Sequence, residues 1–464
     1  MSLLRPTHFL ATALAASMAL ASPAVAAELP ASAVELLPGS WSTLHPEPGP
    51  ASSWWVLLGG EELAALVEEA TASNADLAIS DQRLDQARAR TLQSTSSLLP
   101  SVSLSGNWTV GPTTAQTSSD DAVSQGMTSL NVAVPLNLWT SLPSRRAATS
   151  DTASAAASWD NAAVATATTT ARRWLDLVHA RQRLDLIQTQ IEGDTSILTL
   201  VEARYRTGST SAVDVLQQRQ QLASSRTRLP DAQAAVGRAE RALSAHLQRP
   251  SNHPSEVTTT QLPPAPQPTS LPSPTELIAH HPRVVSSVQD YEASQARRIA
   301  ARNAYLPSLS ATASTGLSVT SLTDYELTDT WSVGLQASVP LFNGGRTTGS
   351  AREARSAERI ALENVEQTVL NVVVDVEDAL AIEAQRRQEV QFSTEQADAA
   401  RAALTAARAE YGRGLSTYNT VLNALSTSKN ADISLLSAQR SHLYASLDLI
   451  AMSGGEWVGQ LEQR

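Results

Sequence analysis

The chain has 464 residues, no cysteine and a formal net charge of −11. Without cysteine there is no disulfide framework, no thiolate metal site and no acylated N-terminal Cys, so any hold on a membrane must come from the fold. The acidic balance also makes nucleic acid a poor partner, because phosphate binding is carried by clustered Lys and Arg.

Residues 1–26 read as a secretory signal peptide: Arg5 precedes the apolar stretch Phe9 to Leu20, and Ala24, Val25 and Ala26 have the small-x-small order that signal peptidase accepts. A membrane anchor would need ~20 apolar residues, and this stretch is shorter. Export is predicted, with the mature chain starting at Ala27 or Glu28. No later apolar run approaches the length of a spanning helix, so a membrane portion would be built from strands. Few aromatics and few glycines, with much Ala, Ser, Thr, Gln and Arg, suit long helices better than a compact enzyme core.

An N-terminal segment, residues 27–60, carries prolines from Leu37 to Pro50. Beyond it the landmarks recur. Leu-Pro100-Ser returns as Leu-Pro307-Ser, 207 residues on; Val-Pro135-Leu returns as Val-Pro340-Leu, 205 on; Tyr205-Arg-Thr-Gly208 returns as Tyr411-Gly-Arg-Gly414, 206 on. Three unrelated landmarks in one register imply two tandem copies of one unit. They are placed at 61–249 and 276–451, joined by a Pro-rich linker over 250–275 that can continue neither a helix nor a central strand, and followed by a tail, 452–464.

Each unit opens with a helix, predicted over Asn74 to Ser97 and Pro282 to Tyr305. Two alternating segments follow. Val102, Leu104, Trp108 and Val110 oppose Ser103, Ser105, Asn107 and Thr109; Leu130, Val132, Val134 and Leu136 oppose Asn131, Ala133 and Asn137. In the second unit Leu309, Ala311, Ala313, Leu317 and Val319 form one segment, and Trp331, Val333, Leu335, Ala337, Val339 and Leu341 the other. Period-two runs of about 10 residues match half-buried strands and also the length of a tilted strand crossing a bilayer.

After Pro143, and again after Gly345, the chain runs to Tyr205 and to Tyr411 without a helix-ending signal, about 95 Å of helix at ~1.5 Å per residue. Leu177, Ala180, Leu184, Ile187, Ile191, Leu198 and Val201 form a 3,4-spaced apolar stripe in one; Leu362, Val365, Val369, Val372, Val376 and Ala379 form it in the other. Such stripes need partner helices, supplied by returning helices at Val213 to His246 and Tyr418 to Leu449 after turns at Gly208 and Gly414. Four strands cannot close a barrel, since the smallest membrane barrels have about eight, so strands that span a membrane must be pooled among copies.

Taken together, Trp54-Trp55-Val-Leu-Leu-Gly-Gly-Glu-Glu-Leu, the paired Leu-Pro-Ser entries, Val-Pro340-Leu-Phe-Asn-Gly-Gly345 and Tyr-Arg-Thr-Gly208 before Val-Asp214-Val-Leu resemble the TolC-like outer membrane factor family, nearest its branch serving tripartite efflux pumps. The resemblance implies a mainly α chain with a membrane β-barrel: a homotrimer pools its strands into a 12-stranded barrel in outer-membrane lipid, continuous with a periplasmic α-helical barrel. Its implied partners are a periplasmic adaptor (membrane fusion protein) and an inner-membrane pump of RND, MFS or ABC type, with no nucleic acid and no cofactor. Collar material would come from Glu28 to Gly60, the linker and the end after Met452.

The resemblance also assigns residues. Pro135, Pro340, Gly344 and Gly345 become strand-to-helix swivels. The turns Tyr205, Arg206, Gly208 and Tyr411, Arg413, Gly414 become helix tips meeting the adaptor. A pore constriction falls at Asp214, Asn419 and Asn423, the two amides standing where relatives often carry acid. His281-Pro282-Arg283-Val284 stands where pump-associated relatives carry Arg-Pro-Asp-Val.

His280 and His281 lack further ligands at metal-binding spacing and read as a solvated loop; Asp120, Asp121, Asp324 and Glu326 read as solvating strand connections. There is no phosphate loop, nucleophile elbow or paired zinc histidine, and an enzyme is not expected. Two other readings are a type I protein secretion channel and a periplasmic coiled-coil scaffold or adaptor, the latter leaving the amphipathic strands without a job.

Overall fold

The computed structural model describes residues 28–41, 54–112, 122–250, 257–266, 272–319 and 327–454. The predicted signal peptide, Asp120, Asp121, Asp324, Glu326 and the tail beyond residue 454 lie outside them. In chain order the elements are α1 Ala31–Val34, α2 Trp54–Ser73, α3 Ala75–Ser96, β1 Ser101–Pro112, β2 Ala122–Pro135, α4 Leu138–Arg206, α5 Ala212–Thr227, α6 Leu229–His246, α7 Pro274–His280, α8 Pro282–Asn303, β3 Ser308–Val319, β4 Leu327–Ser338, α9 Arg346–Arg413 and α10 Tyr418–Met452. The order helix, strand, strand, long helix, returning helix therefore occurs twice. Contacts divide the chain into two compact units, one of residues 81–158 and 285–368 and one of residues 1–80, 159–284 and 369–464.

The first unit holds one antiparallel sheet in chain order, β1-β2-β3-β4, and the hairpins of the two repeats meet where β2 pairs with β3. Directly paired residues share a face while successive residues alternate, so the register Val102↔Val132↔Ala313↔Val333 puts the apolar side chains of all four strands on one side. That side is bare: Leu104 is 73% exposed and Trp331 80%. Trp108 lies over Gly126, its direct partner, where an added Cβ would overlap the ring. The strands have 12 to 14 residues, longer than expected. β4 starts at Leu327 and ends at Ser338, so Val339 and Leu341 lie past it.

The two passages from strand to helix differ. In the first repeat α4 starts at Leu138, five residues before Pro143, although helix was expected only after that proline. Pro143 has no N–H for the carbonyl of Trp139, and Asn303 Nδ2 donates to that carbonyl at 2.6 Å, so the helix passes through without an orphan acceptor. Just upstream, the Leu309 N–H donates to Asn137 Oδ1 at 2.5 Å and the Leu136 N–H to the Leu309 carbonyl at 2.9 Å. In the second repeat Gly344 and Gly345 take φ of 65° and 86°, a region open to glycine at little cost. Leu341 and Phe342 beside them are 94% and 91% exposed.

In the other unit the predicted stripes are buried. Leu177 and Val201 of α4, and Val369, Val372 and Val376 of α9, are fully covered. A core of Trp54, Leu58 and Leu63 from α2 packs with Trp174 and Leu175 of α4, Leu243 of α6 and Leu443 and Leu447 of α10. The first returning helix is split, not continuous from Val213 to His246. Pro230 cannot donate to the Arg226 carbonyl, and the break falls at Arg228.

The Pro-rich linker is docked. Arg181 Nη1 donates to the Val257 carbonyl at 2.6 Å, and the Leu262 N–H donates to Gln182 Oε1 at 2.9 Å. Glu62 accepts from Trp174 Nε1 at 2.8 Å and from the Thr258 N–H and hydroxyl at 2.7 and 2.6 Å. Burial opposes ionisation of Glu62, but these hydrogen bonds hold its carboxyl down at about 2. His281 corrects the sequence reading, because it is buried rather than solvated. Burial, helped by the Arg283 guanidinium, pushes its imidazole from 6.5 down to about 4, so it is neutral, and its Nδ1 accepts the Arg283 N–H at 3.2 Å.

Candidate functional site

Both turns singled out in the sequence end their helices in the same way. Gly208 and Gly414 have φ of 71° and 82°. The N–H groups of Ser209 and Leu415 reach back to the carbonyls of Arg204 and Glu410, and those of Gly208 and Gly414 to the carbonyls of Tyr205 and Tyr411. These are paired Schellman motifs, which need a residue tolerant of left-handed backbone at the glycine position. The duplication is thus written at the level of single hydrogen bonds.

The next helices start differently. Ser211 caps α5 in a capping box: its hydroxyl accepts the Asp214 N–H at 3.2 Å, and Asp214 Oδ2 accepts the Ser211 N–H at 3.2 Å. Thr210 donates its hydroxyl to the same Oδ2. Asp214 is therefore held against its own turn at a helix N-terminus, where negative charge is favoured. At α10 Thr417 makes no side-chain cap, and Asn419 and Asn423 stand exposed, one turn apart on one face.

The two turns are tied to each other. Arg204 Nη1 donates to the Tyr411 carbonyl and its guanidinium lies 4.4 Å from the centre of the Tyr411 ring. Tyr411 donates its hydroxyl to Thr210 Oγ1 at 3.2 Å and meets Tyr418 edge-on at 6.2 Å. Tyr411 is only 3% exposed, so it organises the turn from within, whereas Tyr205 is 50% exposed and Arg206 and Arg413 face outward.

Behind the turns lies a feature that the sequence reading passed over. Lys429 Nζ of α10 donates to both oxygens of Asp194 on α4 at 2.6 Å and to Ser225 Oγ on α5 at 3.0 Å. Gln218 Nε2 donates to the Asp194 carbonyl at 2.8 Å, and Tyr418 donates its hydroxyl to Gln218 Oε1 at 2.7 Å. All five residues are buried. Burial pushes the Lys429 ammonium down from its ordinary range while Asp194 opposes it, and burial pushes the Tyr418 phenol up. Arg408 of α9 faces the same carboxylate. A second buried carboxylate, Glu383, accepts from Arg387 at 2.8 Å and lies 3.0 Å from His442 Nε2.

A signal for the first pair existed. In the stripe Ile187, Ile191, Leu198, Val201 the 3,4 spacing demands a core residue at 194, and Asp stands there. On α10 Lys429 follows Leu425 at the same spacing. Two opposite charges interrupt two stripes, and in the fold they meet.

A profile described as "Outer membrane efflux protein" matches residues 66–247 and 273–455, once in each repeat. The chain belongs to the outer membrane efflux protein family. The pyoverdine export outer membrane protein OpmQ of Pseudomonas aeruginosa is 25% identical over 446 residues, 90% of this chain and 91% of OpmQ. Among solved structures, the outer-membrane channel OprN has a TM-score of 0.78 at 22% identity, covering 93% of this chain and 97% of that one. VceC from Vibrio cholerae gives 0.77 at 22%, covering 88% and 99%.

The family and fold are those of TolC-like transport channels rather than enzymes. The protein is an outer-membrane efflux channel with a large periplasmic helical portion. No described helix is long and apolar enough to cross a membrane.

Removing one member of a buried ion pair strands the other. Asp194→Leu or Lys429→Met alone should each cost about 3–5 kcal/mol, and the double variant markedly less than either. Denaturant unfolding in detergent measures this; a double variant that loses as much as the two single variants added together would show that the two charges are not coupled.

Proposed function

We propose that three copies of this chain pool their strands into one 12-stranded barrel in the outer membrane and their helices into a periplasmic tunnel. The assembly is the exit duct of a tripartite efflux system, passing small molecules such as drugs from an adaptor and an inner-membrane pump to the outside. The observation that carries this reading is the sheet: four strands, a bare apolar face, and β1 and β4 each paired on one side only among the described residues. Lipid does not tolerate an open edge, so the edges must be closed by copies. Strand count alone would let two copies reach the smallest closed size of about eight strands, and the family resemblance favours three. The names of relatives support small cargo: OpmQ is named for pyoverdine export.

Within that duct the exposed tip residues Tyr205, Arg206 and Arg413, with the turns at Gly208 and Gly414, form the adaptor-facing end, and Tyr411 holds their shape from inside. Gly344 and Gly345, together with Pro135 and Pro340, are the swivels between barrel and tunnel. Three Asp214 carboxylates form a charged ring at the constriction, with Asn419 and Asn423 as neutral amides behind it.

Native mass spectrometry of the detergent-solubilised protein should give three times the mature chain mass, and a water-soluble monomer would overturn the assembly. Deleting the coding region should raise drug accumulation in the cell and leave the secreted proteins unchanged. The opposite pattern would replace efflux with protein secretion. Single-channel recordings of Asp214→Ala should show weakened cation preference, and unaltered conductance and preference would remove Asp214 from the gate.

A further inference from the structure

The pairing register assigns each strand residue to one of two faces, and the face opposite the apolar one has a restricted composition. Across the described side chains of all four strands it holds Ser, Thr, Asn, Gln, Gly, Ala, Met and Pro, with no Asp, Glu, Lys, Arg or His. The one charged side chain among the described strand residues, Asp329, lies on the other face, paired with Leu317.

The polar groups of this face bond to each other across strands. Ser105 Oγ and Ser129 Oγ lie 2.9 Å apart, and Asn131 Nδ2 donates to them at 3.1 and 3.2 Å. Ser314 Oγ lies 2.8 Å from Ser332 Oγ on the next strand. A hydroxyl both donates and accepts, so such a surface solvates a cation or an anion equally and holds neither. Charge lining a narrow aqueous pore does the reverse, concentrating one sign of ion and excluding the other.

We propose that this face is an electrically neutral, hydroxyl-lined wall of the duct, so that the β section does not sort cargo by charge and passes cations, anions and zwitterions alike. The proposal rests on the barrel reading above, which turns the apolar face to lipid and this one to water. Any charge preference of the whole channel then arises outside the strands, at the constriction or in the loops. Cargo class at the exit is limited by size and polarity, and a polar solute meets exchangeable hydrogen-bond partners along the strands.

The absence of native cysteine makes the wall directly measurable. Ser129→Cys and Ser314→Cys probe the polar face at mid-strand; Leu130→Cys and Ala313→Cys probe the apolar face one residue away. Each full-length variant is reconstituted in phospholipid and treated with a cationic and an anionic methanethiosulfonate of similar size. At the two Ser positions both reagents should react, with a rate ratio within about threefold of that for a free thiol, and the two apolar positions should stay unmodified. Apolar positions protected but a rate ratio at the Ser positions displaced by about tenfold or more would overturn the neutral wall and leave the barrel standing. Reaction at Leu130→Cys and Ala313→Cys as fast as at the Ser positions would show that the sheet does not separate lipid from water, and would overturn the barrel reading and the wall together.

Discussion

A sheet of four antiparallel strands with one bare apolar face is not a finished structure. Water rejects the face, and lipid rejects the N–H and C=O groups along the sides of β1 and β4 that pair with no strand among the described residues. Both demands are met only when the edges are paired with edges of the same kind and the apolar side turns outward. The alternation of side chains along every strand and the register shared by four strands follow from this condition. A scaffold or adaptor built from the same long helices would have no use for such a sheet.

The helices answer a different constraint. Helices of 69 and 68 residues are stable in water only if an apolar stripe is covered along their length, and Leu177 and Val201 of one stripe and Val369, Val372 and Val376 of the other are buried. Where the stripe carries a charge, as at Asp194 and Lys429, the pairing becomes specific, because any slip in register would leave both charges buried without partners. The polar layers therefore fix how α4, α5 and α10 sit against each other near the turns. The apolar layers supply most of the burial.

Much of this was legible in the residues because it is periodic. Strand alternation, the 3,4 stripes, the Pro-rich linker and the landmarks recurring at offsets of 205 to 207 are signals that survive averaging over many positions. What escaped was local and compensatory. Pro143 looked like a barrier to helix because the partner that rescues the Trp139 carbonyl, Asn303, is 164 residues away from it in sequence. Pro230 went unread inside an otherwise continuous pattern, and it moves only one residue out of the hydrogen-bonding ladder. His281 looked like loop because its burial comes from tertiary packing that no local pattern announces. Asp194 and Lys429 each interrupt a stripe on a different helix, and only their meeting in the fold gives them meaning.

The two repeats share their scaffold and differ just after the glycine turns and at the passages from strand to helix. The Schellman turns at Gly208 and Gly414 are the same down to their hydrogen bonds, yet one is followed by a Ser-Asp capping box and the other by uncapped Thr417 with exposed amides. The passage at Pro135 is pinned to β3 through Asn137, while the passage after β4 runs through two left-handed glycines flanked by exposed Leu341 and Phe342. Asn137 ties the first passage to another strand, whereas the second is held by its own residues: Asn343 Nδ2 donates to Thr347 Oγ1 at 2.5 Å, Asn343 Oδ1 accepts the Thr347 N–H at 3.4 Å, and the glycine backbone supplies the bend.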